Sequence, residues 1–364
     1  MKAILQMIVC ILAGLPSFAQ LSRDLDRAME ELVVPGQPGL ALRIQSGDRI
    51  LYNRGFGLAD PVTGTAITPQ TNFRMASVSK QFTAMAVLLL EKDRKLSRED
   101  LLGKYFPEIP GRVADRVRIR HLLTHSSGLI DYESLMPDTL TEQLSDRDVL
   151  NLVRTRDSTY FPPGTGFRYS NSAYCLLSLL VERVSGMDYP AFAAERIFKP
   201  LGMTNTVIYK AGTSIRNRAM GYARNAEGDL VPSDQSLTSA TMGDGGVYTS
   251  PDDYSRWIDA LRNNVLIDLR DVTEDLKLPI GEAPGASYGA GWFLGGPSPG
   301  TFFHSGSTCG FTNFVIERPE SGLSVVFFSN IAGNEGAFLP VLKILSEHGF
   351  PDLERVMELH ALTR

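Results

Sequence analysis

The segment Ser77-Val78-Ser79-Lys80 stands shortly before residues 85–90, where every side chain is apolar. A helix that is apolar on nearly every face is expected to be buried on all sides. The pattern therefore predicts a helix over residues 77–91 that runs through the middle of the molecule. On this helix Ser77 and Lys80 share a face, so that the amine lies about one turn from the hydroxyl.

The pairing of Ser77 with Lys80 has a chemical interpretation and a purely structural one. Burial disfavours a charged ammonium, and a partly neutral lysine can accept a proton from a serine hydroxyl. The helix N-terminus also offers N–H groups and a positive dipole end to a developing oxyanion. However, a chain of this length contains about one S-x-x-K by chance. A serine that caps a helix, followed by a surface lysine, would give the same sequence pattern.

Two further motifs favour the chemical interpretation. Tyr169-Ser170-Asn171 is the sole Y-x-N in the chain, between a Pro-Gly turn and an apolar helix. A loop in that position can project a phenol and an amide into a cleft. His304-Ser305-Gly306 is the sole His/Lys-Ser/Thr-Gly triplet and lies among β-like runs. An edge strand there would offer backbone groups to an extended substrate.

S-x-x-K, Y-x-N and H/K-S/T-G, in this order, resemble the motifs of the serine β-lactamase and penicillin-binding protein superfamily. The Y-x-N form is similar to that of the branch with class C β-lactamases, D-alanyl-D-alanine carboxypeptidases, D-aminopeptidases and related esterases. The resemblance covers roughly residues 25 to 345. Further stretches that agree are residues 120–129, 167–172, 245–250 and 304–307.

The resemblance implies a role for each residue of the first two motifs. Ser77 would be the acylated nucleophile, and Lys80 would be the lysine that shifts its proton. Tyr169 would be the general base, kept partly ionised by Lys80, and would later protonate the leaving group. Asn171 would form a hydrogen bond with the amide side chain of the substrate.

The third motif, with Ser305 at its centre, would bind the substrate. The backbone N–H groups of Ser77 and Ser307 would form the oxyanion hole, and Gly306 would keep a side chain from crowding the ligand. Class C β-lactamases usually have Lys-Thr-Gly here, whereas this chain has His304. A histidine carries little charge at neutral pH and anchors a substrate carboxylate less firmly than a lysine. This departure favours a peptidase or an esterase over an efficient β-lactamase.

The resemblance thus implies an exported serine hydrolase that forms an acyl-enzyme on Ser77. The expected substrate is a D-amino-acid peptide, as for a D-Ala-D-Ala carboxypeptidase, or an ester. A class C-like β-lactamase is the alternative within this class, so D-amino-acid amides, β-lactams and esters all stay open as substrates. A non-catalytic protein that binds cell-wall fragments is the alternative from another class, because fold does not imply activity.

Two other motifs compete with this interpretation. Residues 285–289 form a G-x-S-x-G around Ser287, but the glycine-rich segment after it is a poor helix start, and a nucleophile elbow needs a helix there. His121 and His125 are four residues apart, yet no H-E-x-x-H is present. We expect these histidines to form hydrogen bonds between the lobes rather than to bind zinc. No phosphate loop or dinucleotide motif occurs, and no cofactor is expected.

The composition and the N-terminal sequence limit the class of protein and its expected location. The 364 residues carry a net charge of −5, and the basic residues are spread along the chain, which argues against a nucleic-acid partner. Residues 1–19 resemble a signal peptide with cleavage after Ala19, so the expected location is periplasmic or secreted. No membrane span is expected after cleavage. Cys175 and Cys309 remain, and whether they pair stays open.

The element pattern predicts an α+β fold. Strand signals at residues 39–58 and 290–329, with helices between them, indicate one antiparallel sheet built from both chain ends with flanking helices. A mostly helical insertion, about residues 93–240, would form a second lobe, as in the β-lactamase/transpeptidase fold. The predicted divisions are a signal peptide at 1–19, a hydrolase domain at 20–350 and a C-terminal tail at 351–364.

Overall fold

The computed structural model describes residues 18–296 and 300–363. The predicted signal peptide lies outside these residues except for Phe18 and Ala19, which begin the first helix.

The secondary structure consists of helices and strands with the following bounds. The α-helices are α1 (Phe18–Leu32), α2 (Lys80–Lys92), α3 (Gly111–Ala114), α4 (Ile119–Leu123), α5 (Asp146–Val153), α6 (Asn171–Ser185), α7 (Tyr189–Ala193), α8 (Pro251–Arg262), α9 (Leu269–Leu276), α10 (Leu339–Glu347) and α11 (Glu354–Leu362). The strands are β1 (Leu40–Ser46), β2 (Arg49–Phe56), β3 (Leu58–Asp60), β4 (Thr65–Ala66), β5 (Phe73–Arg74), β6 (Val207–Ile208), β7 (Tyr222–Arg224), β8 (Leu230–Pro232), β9 (Val247–Thr249), β10 (Leu278–Pro279), β11 (Ser287–Gly289), β12 (Trp292–Leu294), β13 (Phe302–Thr308), β14 (Phe311–Arg318) and β15 (Leu323–Ser329).

An eight-stranded antiparallel sheet forms one layer, in the order β10-β11-β12-β13-β14-β15-β1-β2. The N-terminal hairpin β1–β2 joins the C-terminal strands through the pairing of β1 with β15, from Leu40 opposite Ser329 to Ser46 opposite Leu323. Both predicted hairpins are present, because β14 also pairs with β15. The predicted α+β class and the assembly of the sheet from both chain ends are confirmed.

Alternation along β1 gives the sheet two differently covered faces. Arg43 and Gln45 point toward α8, where they form hydrogen bonds with Asp252 and Asp259. On the other face α1 and α10 pack against each other, and Tyr52 of β2 donates to Asp26 of α1. Because successive side chains in a strand point to opposite faces, one hydrophobic sheet buries two layers of helices.

Helix α2 lies at the centre of the molecule, as its sequence predicts. All of its residues from Lys80 to Leu90 are buried. It contacts α6 and α7 on the side of the second lobe. This burial places the start of the helix between the lobe with α3–α7 and the strand β13 of the sheet.

The C-terminal residues, expected as a tail, contain the helix α11. Its Val356 and the preceding Leu353 are fully buried, and Nε2 of His360 lies 2.6 Å from Oγ of Ser305 in β13. Apolar residues spaced three apart on a short helix can bury one face, and this gives α11 a place on the sheet. None of the helices among the described residues is long and apolar enough to cross a membrane.

Candidate active site

Ser77 lies in a single 3₁₀ turn, Ala76–Ser79, immediately before α2. The preceding Ala76 has a left-handed backbone with φ of 49°. Such a conformation in a residue other than glycine is energetically costly and is found most often at functional sites. The turn is fixed on one side by Met75, whose N–H donates to the carbonyl of Val247 over 2.8 Å. Ser77 is therefore presented by a strained turn that the hydrogen bond of Met75 holds in place.

Lys80 is completely buried, and its Nζ donates to three oxygen acceptors. These are Oγ of Ser77 at 3.1 Å, Oδ1 of Asn171 at 2.8 Å and the backbone carbonyl of Asp244 at 2.9 Å. An ammonium has three N–H donors, so this arrangement fits a charged lysine with all its donors satisfied. Nζ of Lys80 therefore lies one hydrogen bond from the hydroxyl of Ser77.

Tyr169 lies beside this ammonium. Nζ of Lys80 is 4.8 Å from the centre of the phenol ring. The hydroxyl of Tyr169 is buried and has no hydrogen-bond partner among the described residues. A cation next to a phenol favours the phenolate, and a free buried oxygen can accept a proton. The first two motifs thus meet at Lys80, although they are 89 positions apart in the sequence.

His125 holds the loop that carries Tyr169. Its carbonyl accepts from the N–H of Arg168 over 2.9 Å, and its Nδ1 accepts from the N–H of Ser170 over 3.1 Å. Its ring lies 4.2 Å from the ring of Tyr169. Burial lowers the pKa of His125 well below its ordinary value, so that Nδ1 stays an acceptor. We expected hydrogen bonds between the lobes, but this histidine braces a loop within one lobe.

The side chain of Asn171 bridges Lys80 and Glu133 in the wall of the cleft. Its Oδ1 accepts from Lys80, and its Nδ2 donates to Oε1 of Glu133 over 2.6 Å. Glu133 was not identified from the sequence, because no motif surrounds it. The side-chain amide of Asn171, which was predicted to bind substrate, already forms hydrogen bonds through both its oxygen and its nitrogen. To bind a substrate, it would have to release Glu133.

His304 does not face the cleft. It is 1% exposed, its Nε2 lies 3.2 Å from the hydroxyl of Tyr288, and its ring centre is 5.1 Å from that of Phe293. Burial lowers the pKa of His304 to about 3. The imidazole is therefore neutral, in agreement with the expectation of weak carboxylate binding. Its position in an aromatic cluster indicates that it supports the strand, and its role as a substrate ligand stays a prediction.

The other residues of the third motif occupy three different environments. Ser305 points away from the cleft toward His360. Gly306 lies against the nucleophile turn, where an added Cβ would be 2.1 Å from the carbonyl oxygen of Met75. Ser307 is exposed and lines the cleft with Ser77. The neighbouring backbone alone therefore explains why residue 306 is a glycine, without reference to a ligand.

Strand β13 is an open edge where it passes the site. Its pairing with β12 is limited to Phe302 and Phe303, whereas its pairing with β14 continues from Phe302 to Thr308. Residues 304–308 therefore have a β-strand partner on one side only. This agrees with the expectation that the segment offers backbone groups to an extended substrate.

A cleft of about 170 Å³ opens over Ser77. Its lining is strongly polar and includes three charged residues that sequence analysis did not identify, namely Arg74, Glu133 and Asp244. Asp244 contacts Lys80 through its backbone carbonyl, and Arg74 lies three residues before Ser77, so neither belongs to a sequence motif. The residues that line it are Arg74, Ala76, Ser77, Tyr132, Glu133, Asn171, Thr238, Thr241, Asp244, Gly245, Ser307 and Thr308.

Beneath the cleft floor, two carboxyl groups and a thiol lie together. The ligand atoms of Asp146, Cys175 and Asp244 are within 4.8 Å of one another, which is close enough for a metal ion. However, the carboxylate of Asp146 accepts hydrogen bonds from the N–H groups of Met242 and Gly243. Burial, together with the charge of Asp244, raises the pKa of Asp146 to about 7. A proton bound by Asp146 lowers the negative charge of this cluster without a metal.

The competing motifs do not form sites in the described residues. Ser287 begins the short strand β11, which pairs with β12, so the strand–turn–helix of a nucleophile elbow is absent around it. His121 accepts from the N–H of Arg118 and is not close to another metal-ligating side chain among the described clusters. Cys175 and Cys309 are both free thiols.

Comparison with known proteins decides the family. A family model described as Beta-lactamase matches residues 25–344. The chain belongs to this family. Its members that resemble this chain are serine hydrolases that act by acyl transfer, and this protein is therefore assigned to that class of enzyme. The predicted family, fold and enzyme class are confirmed.

Individual relatives match most of this chain at moderate identity. Penicillin-binding protein 4* of Bacillus subtilis (strain 168) is 31% identical over 311 residues, which are 80% of this chain and 68% of the relative. Protein flp of Staphylococcus aureus (strain N315) is 25% identical over 320 residues, 85% of this chain and 63% of the relative. This chain thus spans about two thirds of the length of each.

A solved structure agrees over nearly the whole chain. The D-amino acid amidase of Ochrobactrum anthropi SV3 complexed with D-phenylalanine has a TM-score of 0.73 and 24% identity, and the match covers 90% of this chain and 98% of that one. At this identity the likeness supports the β-lactamase fold and not a substrate.

Proposed function

We propose that this β-lactamase family member is an exported hydrolase that cleaves D-amino-acid peptides or related esters through an acyl-enzyme on Ser77. The observation that carries the proposal is the position of Nζ of Lys80, 3.1 Å from Oγ of Ser77 and 4.8 Å from the ring centre of Tyr169. A nucleophile, a cation and a proton acceptor therefore share one site.

The reaction would proceed in two balanced halves. Oγ of Ser77 attacks the substrate carbonyl and gives its proton to the phenolate of Tyr169, and backbone N–H groups stabilise the oxyanion. The tetrahedral intermediate then expels the amine or alcohol, which takes the proton from Tyr169. A water molecule attacks the ester in the second half, gives its proton to Tyr169, and releases the acid while Ser77 recovers a proton. In this scheme Lys80 keeps its charge, because Nζ donates to three oxygen acceptors, and Tyr169 alone takes the proton that the resemblance assigns to Lys80 and Tyr169 together.

Two features support a D-amino-acid peptide or an ester as substrate. The open edge of β13 can pair with an extended chain. The buried and neutral His304 supplies no positive charge to the cleft, which disfavours an efficient β-lactamase.

Mass spectrometry of the intact protein tests the acyl chemistry. The protein is exposed separately to a penicillin, to a small activated ester and to an acyl-D-alanyl-D-alanine peptide, and the adduct and its decay are followed. We expect an adduct on Ser77 with the ester that turns over, and release of D-alanine from the peptide. A stable penicillin adduct would indicate binding without turnover, and rapid decay would indicate a β-lactamase.

Two alanine variants form a matched pair for this experiment. Ser77→Ala should abolish both adduct and turnover, whereas Ser287→Ala should retain them, because Ser287 lies in the strand β11. An unlabelled wild-type protein would favour a non-catalytic binder of cell-wall fragments. Activity retained by Ser77→Ala would overturn the proposal.

Export is a separate part of the proposal and rests on the sequence of residues 1–19. The mass of the mature protein, after expression in a host that exports it, would show whether cleavage follows Ala19. A mature protein that begins at Met1 and remains inside the cell would contradict a periplasmic or secreted location.

A further inference from the structure

His360 joins the C-terminal helix to the strand that borders the site. It lies in α11, and its Nε2 is 2.6 Å from Oγ of Ser305 in β13. His360 is 5% exposed and Ser305 is partly buried, so water competes little for this hydrogen bond. Because a hydroxyl both donates and accepts, the bond can form with either tautomer of the imidazole. Helix α11 is thus attached to the centre of the third motif, on the side of β13 that faces away from the cleft.

Aromatic rings fix the direction of this imidazole. Its ring centre lies 5.1 Å from that of Phe314 and 6.4 Å from that of Phe303, and both contacts are edge-to-face. Phe303 belongs to β13 and Phe314 belongs to β14. Edge-to-face packing favours particular ring orientations. Side chains of these two strands therefore direct Nε2 of His360 at Ser305.

Helix α11 is itself attached to the sheet. Leu353, Val356 and His360 are spaced three and four residues apart, so they share one face of the helical segment. Leu353 and Val356 are fully buried. Just before the helix begins, Arg318 of β14 donates to the carbonyl of Pro351 over 2.8 Å. The helix is therefore fixed at its start, and His360 extends the contact with the sheet toward its end.

The position of residues 304–308 determines the geometry of the site. Within the described residues, their strand partner is β14 alone, and the opposite edge is open. On the cleft side, Gly306 is so close to the nucleophile turn that an added Cβ would be 2.1 Å from the carbonyl oxygen of Met75. A small displacement of β13 would therefore alter both its open edge and its contact with the turn that carries Ser77. The bond between Ser305 and His360 opposes such a displacement.

Helix α11 lies outside the part of the chain that matches the family model. That match ends at residue 344, whereas α11 spans Glu354–Leu362. The third motif, with Ser305 at its centre, lies inside the matched residues. A residue beyond the family's pattern therefore contacts a strand within it.

We propose that His360 is a positioning residue that acts through Ser305 to hold β13 where its open edge pairs with an extended substrate. A hydrogen-bonded substrate chain needs the edge at a fixed distance and angle, since such bonds weaken steeply when misaligned. A small ester that does not extend along β13 needs this alignment less. This inference rests on the proposed function and adds a residue that controls the use of peptide substrates.

The test compares a peptide with a small ester in the full-length protein. Values of kcat and KM are measured for an acyl-D-alanyl-D-alanine peptide and for an activated ester. His360→Phe keeps an aromatic ring beside Phe314 but removes the nitrogen that contacts Ser305. We expect kcat/KM for the peptide to fall about 5- to 30-fold, mainly through KM, because one buried hydrogen bond is lost. The ester should be affected much less.

Two further variants test the same hydrogen bond. Ser305→Ala removes its other partner and should lower the ratio of peptide to ester activity to the same extent. The double variant should show no further fall, since both changes break one contact. His360→Gln places a side-chain amide near Ser305 and should recover much of the peptide activity. Ser305→Ala replaces His360→Phe in the comparison if the latter does not fold.

His348→Phe is the matched control. His348 also joins a C-terminal helix to another element, with Nε2 3.0 Å from Oδ2 of Asp24, and its side chain is 9% exposed. Its partner lies in α1 and not in β13. This variant should leave the ratio of peptide to ester activity unchanged, even if thermal unfolding shows a lower midpoint.

The outcomes distinguish this inference from the proposed function. An equal fall for peptide and ester in His360→Phe, an unchanged ratio, or the same fall in His348→Phe would overturn the positioning role. So would a wild type that hydrolyses the ester but not the peptide, although the acyl chemistry on Ser77 would then stand. No acylation of Ser77 by any donor would overturn the proposed function itself.

Discussion

The backbone N–H of Ser170 donates to Nδ1 of His125 over 3.1 Å, and the imidazole lies 4.2 Å from the ring of the neighbouring Tyr169. His125 thus fixes the loop on both sides of the phenol, since its own carbonyl also accepts from Arg168. Because Nδ1 and the carbonyl of His125 both hold this loop, we expect its effect on catalysis to be positional.

Replacement of His125 should therefore separate catalysis from folding. His125→Leu removes the acceptor and leaves the N–H of Ser170 unsatisfied, and we expect kcat to fall about 10- to 100-fold. His125→Asn should recover most of this loss, because its Oδ1 can replace Nδ1 and asparagine tolerates the left-handed φ of 55°. Steady-state kinetics and thermal unfolding are measured together.

His121→Leu is the matched control for this experiment. It also removes an imidazole that accepts a backbone N–H, that of Arg118, but it lies away from Tyr169. It should change stability more than kcat. If His121→Leu and His125→Leu reduced kcat equally, a specific positioning role for His125 would be wrong.

Removal of the Tyr169 hydroxyl should abolish a proton acceptor without weakening the fold. Tyr169→Phe keeps the ring that packs on Phe293, with 6.3 Å between ring centres. The rate of acylation should fall about 10²- to 10⁴-fold, as for loss of a general base. The thermal midpoint should be unchanged or slightly higher, since the buried hydroxyl has no partner to lose. A pH–rate profile identical to that of the wild type would exclude Tyr169 as the base.

A methyl group at Gly306 should push β13 away from the nucleophile. In Gly306→Ala the new Cβ would meet the carbonyl oxygen of Met75 at 2.1 Å, so the strand or the turn must move. We expect a stability loss of about 1–3 kcal/mol and a marked fall in acylation rate. Gly281→Ala, where an added Cβ has no atom within 4 Å, is the control. Wild-type acylation in Gly306→Ala would show that this contact is not needed.

The buried Asp146 should make stability depend on pH. Burial and the charge of Asp244 raise its pKa to about 7, above the ordinary value of 3.8, so the folded state binds the proton more tightly than the unfolded state. This contribution is complete below about pH 4 and is lost as the pH rises through 7. It corresponds to at most ~4 kcal/mol, because each pKa unit is worth about 1.4 kcal/mol.

Urea unfolding between pH 5 and pH 8 measures this effect. Asp146→Asn should flatten the fall in stability relative to the wild type. Glu317, whose pKa burial also raises to about 7, should still contribute a fall in the same direction. An unchanged difference in stability between the two pH values in Asp146→Asn would contradict the assignment of the proton to Asp146.

Much of the fold was predictable because its elements carry local patterns. The all-round apolar run of α2 indicated a central helix, and the alternating segments on either side of Pro319–Gly322 indicated the hairpin β14–β15. The sequence predicts a tail at residues 351–364, where the structure has the helix α11. Its few apolar residues do not indicate a helix on their own. Their pattern is explained only by packing against the sheet, where Val356 is fully buried.

The candidate site was predictable only where its reactive residues lie in a short sequence motif. Ser77, Lys80 and Tyr169 were predicted, and the structure brings them together. Glu133 and Arg74 were missed, since their importance comes from facing the same cleft and not from their neighbours in sequence.

The sequence by itself determined the family and predicted the serine and the lysine at the start of α2, because these depend on local order and on the spacing of residues. Tertiary structure alone decided which charged groups line the cleft. It turned His304 into a buried neutral imidazole and placed Glu133 against the amide of Asn171. Burial and partners set the charge state and availability of a side chain, and both arise from segments far apart in the chain.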